Sequence, residues 1–189
     1  SVCKFFGASL RERVPTLWEL MFNTLLKIDE QYIRQLSCQL IPQDETTNIL
    51  ISLQLIEIAA PHLHKDLHKE LFESLTKLCF LIQHPLKAIR HMAARCLATF
   101  AAIDSQSVML FVIDSLIPLL GQIENPINRE GAIEAITSIV NKLQFNIVPY
   151  CVLMIVPVLG RMSDQDQPVR LISTSCFATL IQLMPLDGN

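Results

Sequence analysis

Three stretches of the chain fall into register when written one beneath another: HPLKAIRHMAARCLATF (84–100), ENPINREGAIEAITSI (124–139) and DQDQPVRLISTSCFATL (164–180). Their arginines, Arg90, Arg129 and Arg170, stand 39 and 41 residues apart. Six residues after each arginine comes Cys96, Ala135 or Cys176, and seven after it Leu97, Ile136 or Phe177. A period of about 40 residues, with room for two helices per unit, marks a helical repeat array. A single helical pair cannot bury its apolar face alone, so neighbouring units stack and share a continuous core. The fold expected is an all-α, right-handed α-solenoid of antiparallel helix pairs.

The clearest unit is 147–185, IVPYCVLMIVPVLGRMSDQDQPVRLISTSCFATLIQLMP. Its first helix is almost wholly apolar and ends near Gly160. Residues 163–168 make the turn, and the second helix runs from Pro168 to Met184, where Pro185 stops it. Working back from this pair, helices are expected over 63–83 and 86–103, then over 105–123 and 128–143. Upstream, Val14 to about Cys38 reads as one long helix with Leu17, Leu20, Met21, Thr24, Leu25 and Ile28 on its buried face. Thr46 or Thr47 would cap the next helix, which runs to Pro61. The array is expected to fill 1–189 as one domain, in approximate units 14–61, 62–103, 104–143 and 144–185. A first residue that is serine, and a helix reaching almost to the last residue, point to a piece of a longer protein.

Composition supports a helical core and argues against several functions. Half of the residues (51%) are hydrophobic and 17% are charged. The net charge of −3 leaves no basic excess for neutralising phosphates, so no direct nucleic-acid contact is expected. The six cysteines are scattered without a CxxC pair and sit among apolar neighbours, as buried free thiols do in a reducing compartment. The uncharged run 145–160 contains two prolines and is short of the roughly 20 residues a bilayer span needs, so no membrane is expected.

The residues then carry a family. Pro157, Asp164, Val169 and Arg170, in PVLGRMSDQDQPVR, resemble the HEAT-repeat pattern, which makes the expected architecture a solenoid of HEAT-type pairs. In that family the aspartate and the arginine six positions on form a ladder between neighbouring repeats. Asp164 and Arg170 match both positions. In the middle unit Glu124 stands five residues ahead of Arg129, and in the earlier one His84 replaces the aspartate ahead of Arg90. The segments RHMAARC (90–96), EGAIEAI (130–136), IVPY (147–150), VPVLGRMSDQ (156–165) and CFATLIQLMP (176–185) resemble the TATA-binding-protein-associated, Swi/Snf-type ATPase family. The resemblance is strong over 61–185 and weaker but continuous over 1–60. It implies the last HEAT repeats before a C-terminal motor, in a nuclear protein that uses ATP to remove TATA-binding protein from DNA. The partners it implies are that motor and, through the whole chain, TATA-binding protein. The same architecture would also serve a generic adaptor of the transport or phosphatase-scaffold type.

No catalytic role is expected for these residues themselves. A P-loop needs a Gly-Lys pair, and the chain has none. There is no GxSxG, and Asp164 and Asp166 read as turn and cap residues. No cofactor is expected here; ATP belongs to the motor by resemblance. His62, His64 and His68, with His84 and His91 nearby, have one zinc-compatible spacing, but structural zinc sites show two tight ligand pairs. They read as a solvated helix start, and no metal is expected. Arg90, Arg129 and Arg170 read as ladder residues, and the mixed charges around Lys65, Lys69, Lys77 and Lys87 as a solvated face. One feature stands apart. The apolar helix 147–159 lacks a polar face, which marks Tyr150, Met154 and Val158 as a possible partner surface.

Overall fold

The computed structural model describes residues 2–36 and 42–184. It is all-α: among the described residues there is no strand. Short helices α1 (Val2–Phe6) and α2 (Leu10–Arg13) lead into α3 (Pro15–Leu26) and α4 (Glu30–Leu36). Then come α5 (Gln43–Ala59), α6 (His68–Glu73), α7 (Leu75–Ile82) and α8 (Lys87–Ile103). The chain continues through α9 (Ser105–Phe111), α10 (Ile117–Leu120), α11 (Pro126–Leu143), α12 (Cys151–Arg161) and α13 (Gln167–Leu183).

The repeat register becomes a packing order. Helix α8 packs between α5 and α11, and α11 packs in turn between α8 and α13. The other helix of each pair lies beside its partner: α3 on α5, α7 on α8, α10 on α11 and α12 on α13. The positions aligned in the sequence are the seams. Cys96, Leu97, Ala135, Ile136 and Cys176 are fully or almost fully buried, and Phe177 is half-buried. Burial pushes the Cys79 and Cys176 thiols up to about 11, so they stay protonated and inert. Cys38 and Pro185 lie outside the described residues.

Three expected helices are divided, each for a local reason. The helix expected over 14–38 stops at Leu26. Lys77 Nζ donates to the Ile28 carbonyl at 2.7 Å, and Asp29 Oδ1 accepts the Tyr32 N–H at 2.7 Å to start α4. Leu20, expected inside, is half exposed. The helix expected over 63–83 breaks at buried Ser74, whose hydroxyl donates to the Leu71 carbonyl at 2.6 Å. The helix expected over 105–123 contains a π turn at Val112–Leu116, where the Ile117 N–H reaches back to the Val112 carbonyl. Pro118 has no N–H and crowds the carbonyl four residues back, and the wider turn absorbs both. A further difference is that Thr46 and Thr47 are not caps: α5 starts at Gln43, and both hydroxyls donate to carbonyls one turn back.

By length and apolar composition, the helical run Pro126–Arg161 could cross a bilayer. The run is not one rod. Gln144 adopts a positive φ of 50° and a 3-10 turn over Gln144–Tyr150 follows. The first part, α11, carries Arg129, Glu130, Glu134 and Lys142 and packs on α8 and α13.

Candidate interaction site: an arginine ladder and the faces beside it

The ladder arginines work through the edges of the guanidinium, all three through one edge and Arg90 and Arg129 through both. One edge closes the turn of its own pair. Arg90 Nη1 donates to the carbonyls of His84 (3.0 Å) and Pro85 (2.8 Å). Arg129 Nη1 donates to those of Gln122 (2.8 Å) and Ile123. Arg170 Nη1 donates to those of Asp164 (2.7 Å) and Gln165 (2.9 Å). Turn and helix-end carbonyls that lack helical partners are thereby satisfied.

The other edge reaches the next unit. Arg129 holds Asp164 in a two-pronged pair, Nε to Oδ2 at 2.9 Å and Nη2 to Oδ1 at 2.8 Å. Both side chains are buried, and the planar fork matches the carboxylate plane. Arg90 Nη2 pairs with Glu130 Oε2 at 2.8 Å, while its buried Nε has no partner among the described residues. This rung is single-pronged. Glu130 also lies 3.5 Å from Lys87, and His91 Nδ1 meets Glu134 Oε1 at 2.7 Å, which extends the polar seam between α8 and α11.

Two sequence expectations change here. Glu124 is exposed, and the acid that receives Arg90 is Glu130. The carbonyls that Arg129 closes stand seven and six residues before it, against six and five for Arg90 and Arg170. His84 takes over the turn-forming half of the aspartate's work: its Nδ1 accepts the Leu86 N–H at 3.0 Å, as Asp164 Oδ1 accepts the Asp166 N–H at 2.9 Å. It has no charge to offer an arginine, and among the described residues no arginine of the preceding unit bonds to it.

Electrostatics follow from burial. Burial alone would raise the Asp164 carboxyl. The hydrogen bonds from Arg129 and the Asp166 N–H, with the charges of Arg129 and Arg161, hold it below the usual range. Burial, and then the Arg90 charge, lower the His84 imidazole from 6.5 to about 4. Between these values the unfolded chain binds a proton that the folded chain refuses, so stability rises with pH there. The contribution is complete above about pH 6.5 and is lost as pH falls toward about 4, by up to about 3 kcal/mol. Urea denaturation across this window is expected to show the loss, and His84→Asn, which keeps the acceptor, is expected to flatten it.

The remaining expected site residues separate. Met154 and Val158 are fully buried and Tyr150 is half-buried against the core, so the first two are packing residues and not surface. The solvent side of α12 is instead Val152 and Val156, 74% and 72% exposed, flanked by Leu153 and Leu159. Spacings of four and three put Val152, Val156 and Leu159 in one stripe. Sequence reasoning found the helix but assigned the wrong face. The run is apolar all round, so periodicity could not tell inside from outside. Among the histidines, His64 Nδ1 accepts the Asp66 N–H at 3.3 Å, and His68 lies 3.3 Å from the Leu63 carbonyl, edge-on to Phe72. Each has a local structural partner.

No family model matches the chain. Over 190 residues, the whole of the chain, it is 39% identical to TATA-binding protein-associated factor 172 of Homo sapiens. It is 37% identical over 191 residues to TATA-binding protein-associated factor mot1 of Schizosaccharomyces pombe, and 28% identical over 184 residues to MOT1 of Saccharomyces cerevisiae. The two alignments cover 97% of the chain. In all three comparisons the chain spans 10% of the relative's length.

Proposed function

The chain belongs to the family of TATA-binding protein-associated factors, and on that premise we propose that it is a scaffold and protein-interaction segment of an ATP-dependent transcription regulator. In this reading the whole protein acts in the nucleus and removes TATA-binding protein from DNA. These residues supply none of the chemistry. The motor that uses ATP lies elsewhere in the same polypeptide, and the helical pairs form a right-handed HEAT-type solenoid that joins motor to client.

The observation that carries the proposal is the 39% identity that runs from one end of the chain to the other. The structure adds a physical reason why such a segment would serve as a stiff link. Sliding one pair past the next would break the two-pronged Arg129–Asp164 contact and strand both charges away from water, so the seam resists shear. An apolar core continuous from α5 to α13 gives the same resistance without direction.

The exposed stripe on α12 is where this link would meet the motor. In the full-length protein, Val152→Asp with Val156→Asp is expected to lower ATP-dependent release of TATA-binding protein from DNA several-fold. Binding of TATA-binding protein without ATP is expected to stay unchanged. Release, ATPase rate and binding all equal to the parent would refute the stripe as a functional surface. Lost binding with normal ATPase would move the client contact onto it.

A further inference from the structure

The first two helical pairs meet unevenly. Their second helices, α5 and α8, pack directly against each other. Between their first helices, α3 on one side and α6 with the start of α7 on the other, lies a cavity of about 430 Å³. Both walls belong to described units, so this is a gap inside the array and not a face beyond its last helix. The volume falls in the range of about 300–1,000 Å³ usual for ligand sites.

The two walls differ in chemistry. On α3, Trp18 and Phe22 stand one turn apart, half-buried, with ring centroids 4.6 Å apart and planes tilted by 43°. The opposite wall carries Glu70 and Glu73, whose spacing of three puts both on one side of α6. Glu70 accepts no hydrogen bond among the described residues, and its Oε2 is buried without a partner. The cation beside it, Arg11, stands 3.8 Å from Oε1, beyond hydrogen-bond reach. Lys77 lines the same cavity, but its Nζ is engaged by the Ile28 carbonyl at 2.7 Å. Glu73 and Glu19 are exposed, line the cavity too, and have no ion pair among the described residues. A stacking surface is thus combined with three carboxylates whose acceptor capacity is largely unused.

We infer that this cavity binds an arginine side chain of a partner protein, its guanidinium stacked on Trp18 and paired with Glu70 and Glu73. An anionic occupant, nucleic acid included, is repelled by the three carboxylates. A purely apolar occupant would take water from them and return no hydrogen bond. A guanidinium is flat enough to cover an indole face while its fork of donors meets a carboxylate. An ammonium is more strongly hydrated and has no planar fork.

The inference goes beyond the proposed function, and its test needs neither ATP nor TATA-binding protein, so either can fail alone. The probe is a short synthetic peptide with one arginine and one benzophenone amino acid. It is irradiated with the purified full-length protein, and the adduct is mapped by mass spectrometry. The adduct is expected within residues 11–26 or 70–77, the cavity walls. Replacing the probe's arginine with citrulline, its neutral isostere, is expected to lower the yield several-fold. Trp18→Leu and Glu73→Gln are each expected to lower it several-fold as well. Glu73 is exposed, so Glu73→Gln tests the site even if Trp18→Leu does not fold. Adducts only outside these segments, a citrulline or lysine probe as effective as the arginine one, or an unchanged yield with Glu73→Gln would overturn the inference.

Discussion

An Arg129→Met variant is expected to be about 3–5 kcal/mol less stable to unfolding than the parent, the usual cost of removing one partner from a buried ion pair. Asp164 would keep its charge in a site with almost no access to water and lose both prongs of its main partner. Arg161, at 3.2 Å and partly exposed, is the only other cation on that carboxylate among the described residues, and it would offset part of the loss. The carbonyls of Gln122 and Ile123 would lose their donor as well. Urea denaturation followed by far-UV circular dichroism measures the change. Asp164→Asn is expected to be costly by itself, because it orphans the guanidinium. Combined with Arg129→Met, it is expected to cost clearly less than the two single changes summed, since neither charge is then left alone. A loss below about 1 kcal/mol for Arg129→Met would mean that the pair is solvated and that the seam is held by apolar packing alone.

Gly131→Ala is expected to be nearly as damaging, although alanine is the better helix former. A Cβ at Gly131 would lie 2.0 Å from the Ile82 carbonyl oxygen and 3.0 Å from the carbonyl carbon and Cγ2 of the same residue. The obstacle is backbone at the end of α7, so no rotamer relieves it and α11 has to move away. Overpacking of this kind outweighs the propensity gain of about 1 kcal/mol, for a net loss of about 3 kcal/mol. Gly160→Ala is the control, with open space around its added Cβ, and is expected to be neutral or to stabilise by up to about 1 kcal/mol. Equal effects at both glycines in thermal melts would show that α11 and α7 are not in close contact.

The pairing of Arg129 with Asp164 was half legible in advance. Both residues stood out at repeat positions as members of a ladder between neighbouring repeats, and only coordinates show which arginine meets which acid. Asp164 caps its own turn, receives Arg129 from the preceding unit and offers its carbonyl to Arg170. The Arg90 rung was not legible. Its acid, Glu130, lies beside the next ladder arginine and not ahead of it. The breaks after Leu26 and at Ser74 had sequence signals, Asp29 and Ser74 themselves. Both are local side-chain bonds to the backbone that an apolar period does not register. Gly131 also carried a sign, a glycine in the middle of a strong helix, though nothing in the sequence said what approached it.

The sequence by itself determined the class of structure, the period, the second helix of each late pair and the family. All of these depend on patterns that recur along one chain: apolar spacing, turn prolines and arginines in phase. The tertiary structure decided which face of the apolar helix 151–161 is inside and which acid meets Arg90 and Arg129. These are properties of two elements together. Burial and ion pairing depend on what lies across the gap, and an apolar stripe or a lone arginine reads the same whether its partner is present or absent.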